Sequence, residues 1–333
     1  MSSQTRTPSP PTLRDIYAAR RRIAPLIQRT PLIRSEALSA RTGRNVYLKL
    51  ENVQQTGAFK LRGAANRLLT LSAEERARGV VTVSTGNHGR AVAYVGRQLG
   101  VPVTVCVPDL VLPHKIAAME ALGARIVVQG RDQEEAESHA LALGEREGLV
   151  SVSPFDEPDI IAGQGTIGLE LLEDLPQLDT LISPLSGGGL MGGIALALKS
   201  ADAAIRTVGV AMERGPAMIE SIRAGHVVPV DEQPSLADSL IGGIGPENRY
   251  TFAINRALVD ECVTLSEEEI AAAMRFAFEE EHLVLEGGGS VGIGALLHDK
   301  VADLGEHIAV VVSGGNVDIN LLKSIINGEW REE

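Results

Sequence analysis

Cysteine, aromatic residues and long apolar runs are all scarce in this chain of 333 residues. Only Cys106 and Cys262 occur, far apart and each within an apolar run. That pair offers no metal-ligand spacing and no disulfide framework, so both thiols read as buried and free. Aromatics contribute 3% of residues, which leaves Ala, Val, Leu and Ile to build the core. No apolar run approaches the roughly 18 residues of a membrane span. The opening MSSQTRTPSPPT lacks the apolar stretch of a signal peptide and reads as a disordered tail, residues 1–12. A soluble cytoplasmic protein is the expectation. Basic charge is also in deficit. The net charge of −12 argues against a nucleic-acid partner, which would need clustered Lys and Arg to displace counterions.

Glycine is plentiful, at 35 residues, and clustered, which points to specialised loops. The length suits about two domains. Thr12 opens a helix with Asp15 as capping-box partner, its apolar residues running on through Ile27. Val46–Leu50 reads as a strand. Val80–Ser84, Val103–Val107 and Arg125–Val128 are β-rich runs separated by helical stretches near 88–99, 113–122 and 132–147. Thr180–Ser183, Thr207–Val210 and Ile308–Val312 continue the rhythm, with helices over 190–199, 215–224, 266–280 and 318–326. Such alternation implies βαβ units on parallel sheets. The layout predicts two open α/β domains. Residues 52–150 form a small one, inserted into a large one made of 13–51 and 151–333.

Four segments could carry chemistry. In TGAFKLRG, Lys60 lies between Phe59 and Leu61 and is flanked by Gly57 and Gly63. A lone lysine is ordinarily a solvated surface charge. A lysine in an apolar pocket has a lowered pKa and can form a Schiff base with an aldehyde. Ser84-Thr85-Gly86-Asn87-His88-Gly89 follows a strand and opens a helix, where open α/β sheets bind carboxylates or phosphates. Its plainer reading is a turn with hydroxyl caps. The run Ser186–Gly189, in SPLSGGGLMGG, would let backbone amides approach a phosphate at a helix start. Gly187, Gly189 and Gly192 also match a dinucleotide fingerprint with Glu213 downstream, and Gly163, Gly165 and Gly168 match it again. A nicotinamide oxidoreductase therefore stays open on the glycines alone. Ser313-Gly314-Gly315-Asn316 ends a buried strand, either as a plain turn capped by Asn316 or Asp318, or with the Ser313 hydroxyl facing a ligand.

Together these segments resemble the serine/threonine dehydratase family of pyridoxal-phosphate enzymes, the fold type II or tryptophan-synthase-β-like group. The likeness runs from about Thr30 to Asp318 through KLENVQQTGAFKLRGA, STGNHGRAVA, VPDLVLPHKIAAMEALGA, FDEPDIIAGQGT, SGGGL and VVSGGNVD. The dinucleotide reading accounts for the glycines only, whereas the resemblance accounts for every segment. It implies that Lys60 holds pyridoxal 5′-phosphate and acts as general base, with Phe59 packed beside the ring. Asn87 would bond the phenolic oxygen, and Ser186, Gly187, Gly188, Gly189 and Leu190 would cradle the phosphate. Ser313 would face the pyridine nitrogen. Ser84, Thr85, Asn87 and His88 would surround the carboxylate of a small 3-hydroxy amino acid, which would lose water and then ammonia. No metal ligand is expected, and a homodimer is.

Three positions depart from the family pattern. Thr85 stands where dehydratases often carry alanine and racemases serine, so an amino-acid racemase is the nearest rival, with Thr85 as its second acid/base. Glu286-Gly287-Gly288-Gly289-Ser290 replaces the usual Glu-Pro-Ser/Thr-Gly. Ala211 occupies the acidic position of metal-activated members, with Glu213 two places on. Within the family, AMERGPAMIESIRAG, LADSLIGGIGPENRYTF and LEGGG are similar to the hydroxyectoine-utilisation dehydratase branch.

Overall fold

The computed structural model describes residues 9–332 other than 110, 112 and 132. Residues 1–8 of the expected tail lie outside that set. Pro11 is buried, and Thr12 and Asp15 form a reciprocal capping box at the start of the first helix, which ends at Ile23.

Among the described residues ten strands form two sheets. They are β1 (Leu32–Arg34), β2 (Asn45–Leu50), β3 (Val80–Val83), β4 (Val103–Val107), β5 (Arg125–Val128), β6 (Val150–Ser151), β7 (Thr180–Pro184), β8 (Arg206–Met212), β9 (Glu261–Leu265) and β10 (His307–Val312). The helices are α1 (Leu13–Ile23), α2 (Glu36–Thr42), α3 (Lys60–Thr70), α4 (Ala73–Arg78), α5 (Asn87–Leu99), α6 (Pro113–Glu120) and α7 (Gln133–Glu147). They continue with α8 (Pro158–Asp174), α9 (Gly189–Ala201), α10 (Ala217–Ala224), α11 (Thr251–Leu258), α12 (Glu267–Glu279), α13 (Gly287–Leu297) and α14 (Ile319–Ile326).

The larger sheet has the order β1-β2-β10-β7-β8-β9, parallel except for β1. The smaller has the order β5-β4-β3-β6 and is parallel throughout. Both are open α/β units with one topology in common. Chain order steps outward along β7-β8-β9 and along β3-β4-β5, then returns to the far side of the first strand with β10 and with β6. Each return creates a crevice beyond the strands' carboxyl ends, where such sheets bind ligands. Loops beginning at Ser186 and Ser313 leave one crevice, and loops beginning at Ser84 and Val152 leave the other.

Aliphatic strands fill the core, as the scarcity of aromatics requires. Val80, Val81, Val208, Val210, Val310 and Val311 are essentially inaccessible. Cys106 is buried and Cys262 only half-buried, so the expectation of two buried thiols holds for the first alone. Helix α8 was not legible as a helix, because its sequence reads AGQGTIG. Its glycines are contact points with neighbouring backbones. A Cβ on Gly163 would lie 2.7 Å from the Arg62 carbonyl, and one on Gly165 would lie 2.8 Å from the Gly193 carbonyl. The second fingerprint match is therefore a helix-packing surface rather than a phosphate loop.

A fully buried charge cluster ties α3 to this scaffold. Arg62 donates to Glu51 at 2.7 and 2.8 Å and to Glu170 at 2.6 and 2.9 Å. Lys49 reaches Glu170 at 2.6 Å and the Thr30 carbonyl at 2.7 Å. Two cations thus face two carboxylates, a balance that burial demands. Arg62 sits two positions beyond Lys60, so the cluster fixes the first turn of α3.

Candidate active site

Lys60 is the first residue of α3, and its Nζ donates to the Pro154 carbonyl at 2.7 Å. The ammonium also lies 5.3 Å from the centre of the Phe59 ring. What surface Lys60 retains opens onto a cavity of about 670 Å³. Desolvation lowers its pKa to about 8 against the opposing charge of Glu286. A substantial share of the amine is therefore neutral near physiological pH. The backbone around it is pinned. Phe59 N donates to the Ser313 carbonyl at 3.0 Å, and Ala58 bridges to Gly314. Gly57 adopts φ +76°, and a Cβ there would meet the Asn316 amide at 2.5 Å.

The segment after β3 enters α5 through Gly86. Asn87 is held at both ends, Nδ2 donating to Glu286 at 2.7 Å and Oδ1 accepting from Asn316 Nδ2 at 2.7 Å. Asn316 is further bonded to Arg90 and to the Thr56 carbonyl, while Asp318 alone caps α14. Burial pushes the Glu286 carboxyl up to about 7, reinforced by Asp238 and opposed by the Asn87 hydrogen bond. His88 is 2% exposed, and among the described residues neither ring nitrogen has a hydrogen-bond partner. Burial and the Lys60 charge hold its pKa near about 3, although the Val152 backbone lies close enough to favour the proton slightly. His88 is thus a neutral imidazole. The Thr85 hydroxyl makes no hydrogen bond to a carboxylate, histidine or amine among the described residues.

Beyond β7 the chain turns through Ser186–Gly188 into α9. Gly188 takes φ +84°, in the left-handed region where glycine is favoured. A Cβ at Gly187 would lie 2.3 Å from the Phe155 ring, so only a bare backbone fits. The amide N–H groups of Ser186, Gly187, Gly188, Gly189 and Leu190 donate to no other protein group among the described residues. Unpaired amides at a helix start, facing a cavity, form an anion receptor. The Ser313 hydroxyl, 3% exposed, makes only a long contact of 3.4 Å to the Gly288 carbonyl.

One cavity therefore gathers Phe59, Lys60, the segment Ser84–His88, the loop Ser186–Leu190 and Ser313. An aldehyde-bearing phosphate compound fits this set: an amine for the aldehyde, free amides for the phosphate and a hydroxyl in the same cavity. Among the described residues no group of His, Cys, Asp and Glu could hold a metal ion. Sequence reasoning missed Pro154 and Phe155, which act through a carbonyl and a ring on a loop far from Lys60 in sequence. It also missed Asn255, whose Nδ2 donates to the Gly188 carbonyl at 2.9 Å. Glu286 was seen only as part of an unusual stretch.

Comparison with known proteins agrees with this geometry. Residues 23–314 match the family described as "Pyridoxal-phosphate dependent enzyme". The chain is 49% identical to a putative threonine dehydratase of Sinorhizobium fredii, covering 96% of each chain. It is 43% identical to an L-threonine ammonia-lyase of Thermotoga maritima, over 95% of this chain and 78% of that one. Among solved structures, maize serine racemase superposes with a TM-score of 0.90 at 33% identity, covering 96% of this chain and 98% of the racemase.

Proposed function

Because the chain belongs to the pyridoxal-phosphate dependent enzymes, we propose that it is an ammonia-lyase converting a small 3-hydroxy amino acid into a 2-oxo acid. One observation carries the reading: a lysine whose pKa is lowered to about 8 and five amides that donate to no protein group among the described residues share a single cavity. Pyridoxal phosphate, when bound, supplies an aldehyde for amino groups and a ring that draws electrons from the adjacent carbon. The amides of Ser186 to Leu190 would hold the phosphate, and Ser313 would face the ring nitrogen as a neutral hydroxyl. Such a contact would not force a proton onto the nitrogen, which would favour elimination over transamination. Asn87, clamped between Glu286 and Asn316, has one remaining N–H to offer the phenolic oxygen.

The start of α5 receives the substrate carboxylate, with Ser84, Thr85, Asn87 and His88 around it. Lys60 Nζ, uncharged in a useful fraction near pH 8, takes the proton from the substrate's α-carbon. Loss of the 3-hydroxyl as water leaves an enamine, which hydrolyses to the 2-oxo acid and ammonia. A racemase would need a second base on the opposite face. Among the described residues the Thr85 hydroxyl has no basic partner to activate it, which supports the lyase over the racemase.

Threonine, serine and 3-hydroxyaspartate are the substrates to assay first, followed by compounds from the breakdown of ectoine-type solutes. Homodimerisation and a cytoplasmic setting belong to the same proposal; light scattering of the purified protein checks the first. The central test is borohydride reduction followed by peptide mapping. A pyridoxyl mass on Lys60, with ammonia released from a hydroxy amino acid, supports the reading. Failure to reduce any lysine after addition of pyridoxal phosphate refutes it.

A further inference from the structure

We infer that Asn255 is a positioning residue for the phosphate loop, and that Asp156 holds it in place through α11. The inference rests on the cofactor assignment above and extends it to residues outside the cavity lining. Asn255 lies within α11 with no solvent exposure. Its Nδ2 spends both protons on carbonyls, Gly188 at 2.9 Å and Thr251 at 2.7 Å. Its Oδ1, also buried, has no hydrogen-bond partner among the described residues. A buried amide with an unmatched oxygen is costly, and an aliphatic side chain on the same helix face would avoid that cost. The unmatched oxygen makes general core filling a poor account of this residue.

The geometry of the peptide unit supplies a better one. The Gly188 carbonyl and the Gly189 N–H belong to one planar group and point in opposite directions. Gly188 O accepts from Gly192 N at 2.9 Å, the opening bond of α9, and from Asn255. Two donors behind the loop therefore turn the Gly189 amide forward, out of the helix end. Without Asn255 the carbonyl keeps one donor, and the plane, free at a glycine with φ +84°, can rotate. The fit is close. A Cβ on Gly188 would lie 2.3 Å from Asn255 Nδ2, and one on Gly192 would lie 3.0 Å from it.

Helix α11 is itself anchored from the lysine side of the cavity. The Asp156 carboxylate accepts from the backbone N–H of Arg249 at 2.6 Å, Tyr250 at 2.9 Å and Thr251 at 2.8 Å. The Tyr250 and Thr251 N–H groups are among the donors a helix start leaves without acceptors. Next to Asp156, Phe155 packs under Gly187 and Gly189, and Pro154 accepts the Lys60 ammonium. Three consecutive residues thus reach the lysine, the glycine loop and the helix that bears Asn255. The separation between amine and phosphate loop is set by this short segment and by Asn255.

The test compares cofactor-stripped wild type, Asn255→Ala and Asn255→Asp, each titrated with pyridoxal 5′-phosphate and with unphosphorylated pyridoxal. Visible absorbance reports both ligands, and displacement by inorganic phosphate gives a reading independent of the lysine. Asn255→Ala is expected to weaken pyridoxal 5′-phosphate and inorganic phosphate by about ten-fold, the worth of one hydrogen bond. Affinity for pyridoxal should stay within about two-fold, because its aldehyde meets an unchanged Lys60. Asn255→Asp keeps the side-chain size and should lose more, since its carboxylate faces the Gly188 carbonyl without a donor. Equal losses for both aldehydes would assign Asn255 a general structural role and overturn the proposal, as would no loss in either variant. Wild type that binds neither aldehyde would instead refute the functional reading.

Discussion

Replacing Arg62 by methionine should cost the protein more stability than most single substitutions, and the deficit should depend on pH in a defined sense. In the wild type the buried cluster is neutral, Lys49 and Arg62 against Glu51 and Glu170. Methionine removes one positive charge and leaves the cluster at −1. It also strips Glu51 of its one guanidinium partner among the described residues, at 2.7 and 2.8 Å, in a position with no solvent access. Breaking a buried pair from one side costs about 3–5 kcal/mol. Glu170 keeps Lys49 at 2.6 Å, so the cost should fall mainly on Glu51. Here the sign matters. In the wild type the Arg62 charge and hydrogen bonds outweigh burial and hold the Glu51 carboxyl below its usual range. Its stabilisation is complete above the unfolded carboxylate pKa and is lost as pH falls through the depressed folded value. In Arg62→Met, burial acts unopposed by arginine and raises the pKa. The variant then loses stability as pH rises through that raised value. Urea unfolding of the cofactor-free protein at pH 5 and pH 8 should show the larger deficit at pH 8. Adding Glu51→Gln to the variant should recover a substantial part of it. A deficit below about 1 kcal/mol, the range of an exposed pair, or one that grows toward pH 5, would refute the reasoning.

Three further outcomes follow from other features. The rate at which cofactor-free protein captures pyridoxal phosphate should climb as pH rises through about 8, tracking the neutral Lys60 amine; stopped-flow absorbance would read it, and a midpoint near 10 would contradict the burial argument. Gly193→Ala should lower stability by at least about 2 kcal/mol, because the new Cβ would lie 2.4 Å from the Ile161 carbonyl, and backbone cannot yield as a side chain can. An unchanged thermal midpoint would show that α8 and α9 separate more easily than their packing implies. His88 should remain neutral by ¹⁵N NMR between pH 5 and pH 8, with its folded pKa near about 3. Stability from this ring is complete above its unfolded pKa of about 6.5 and is lost as pH falls toward the folded value. A ring titrating near 6.5 would refute its desolvated placement.

Parallel strands were legible because they are buried on both faces and read as unbroken aliphatic runs, as in Val103–Val107 and Ile308–Val312. Capping residues marked α1 clearly. Helices α8 and α13 were not legible, because glycine ordinarily opposes helix formation and both are rich in it. In this fold those glycines let helices approach backbone to backbone, a tertiary requirement that outweighs local preference. Gly289, for example, would place a Cβ 2.2 Å from the Gly314 carbonyl. The cavity residues that were legible sit just after strands, where position alone suggests a role. Asn255 gave no such signal. Its partner is a main-chain carbonyl on a distant loop, and no residue type advertises that contact. Pro154 contributes only its carbonyl, which any residue would supply.

The cavity joins two crevices of the same topology, one from each sheet, facing one another. The loops after β7 and β10 belong to one sheet and the segment after β3 to the other. Under the proposed function the loops after β7 and β10 grip the cofactor's phosphate and ring nitrogen, while the segment after β3 lends one residue, Asn87, to that grip and turns the rest toward whatever small molecule is brought to it. Substitutions at Ser84, Thr85 and His88 can then change the menu while Asn87 and the glycine loop keep hold of the tool. Such a division gives a lineage room to diverge in diet while its chemistry stays put.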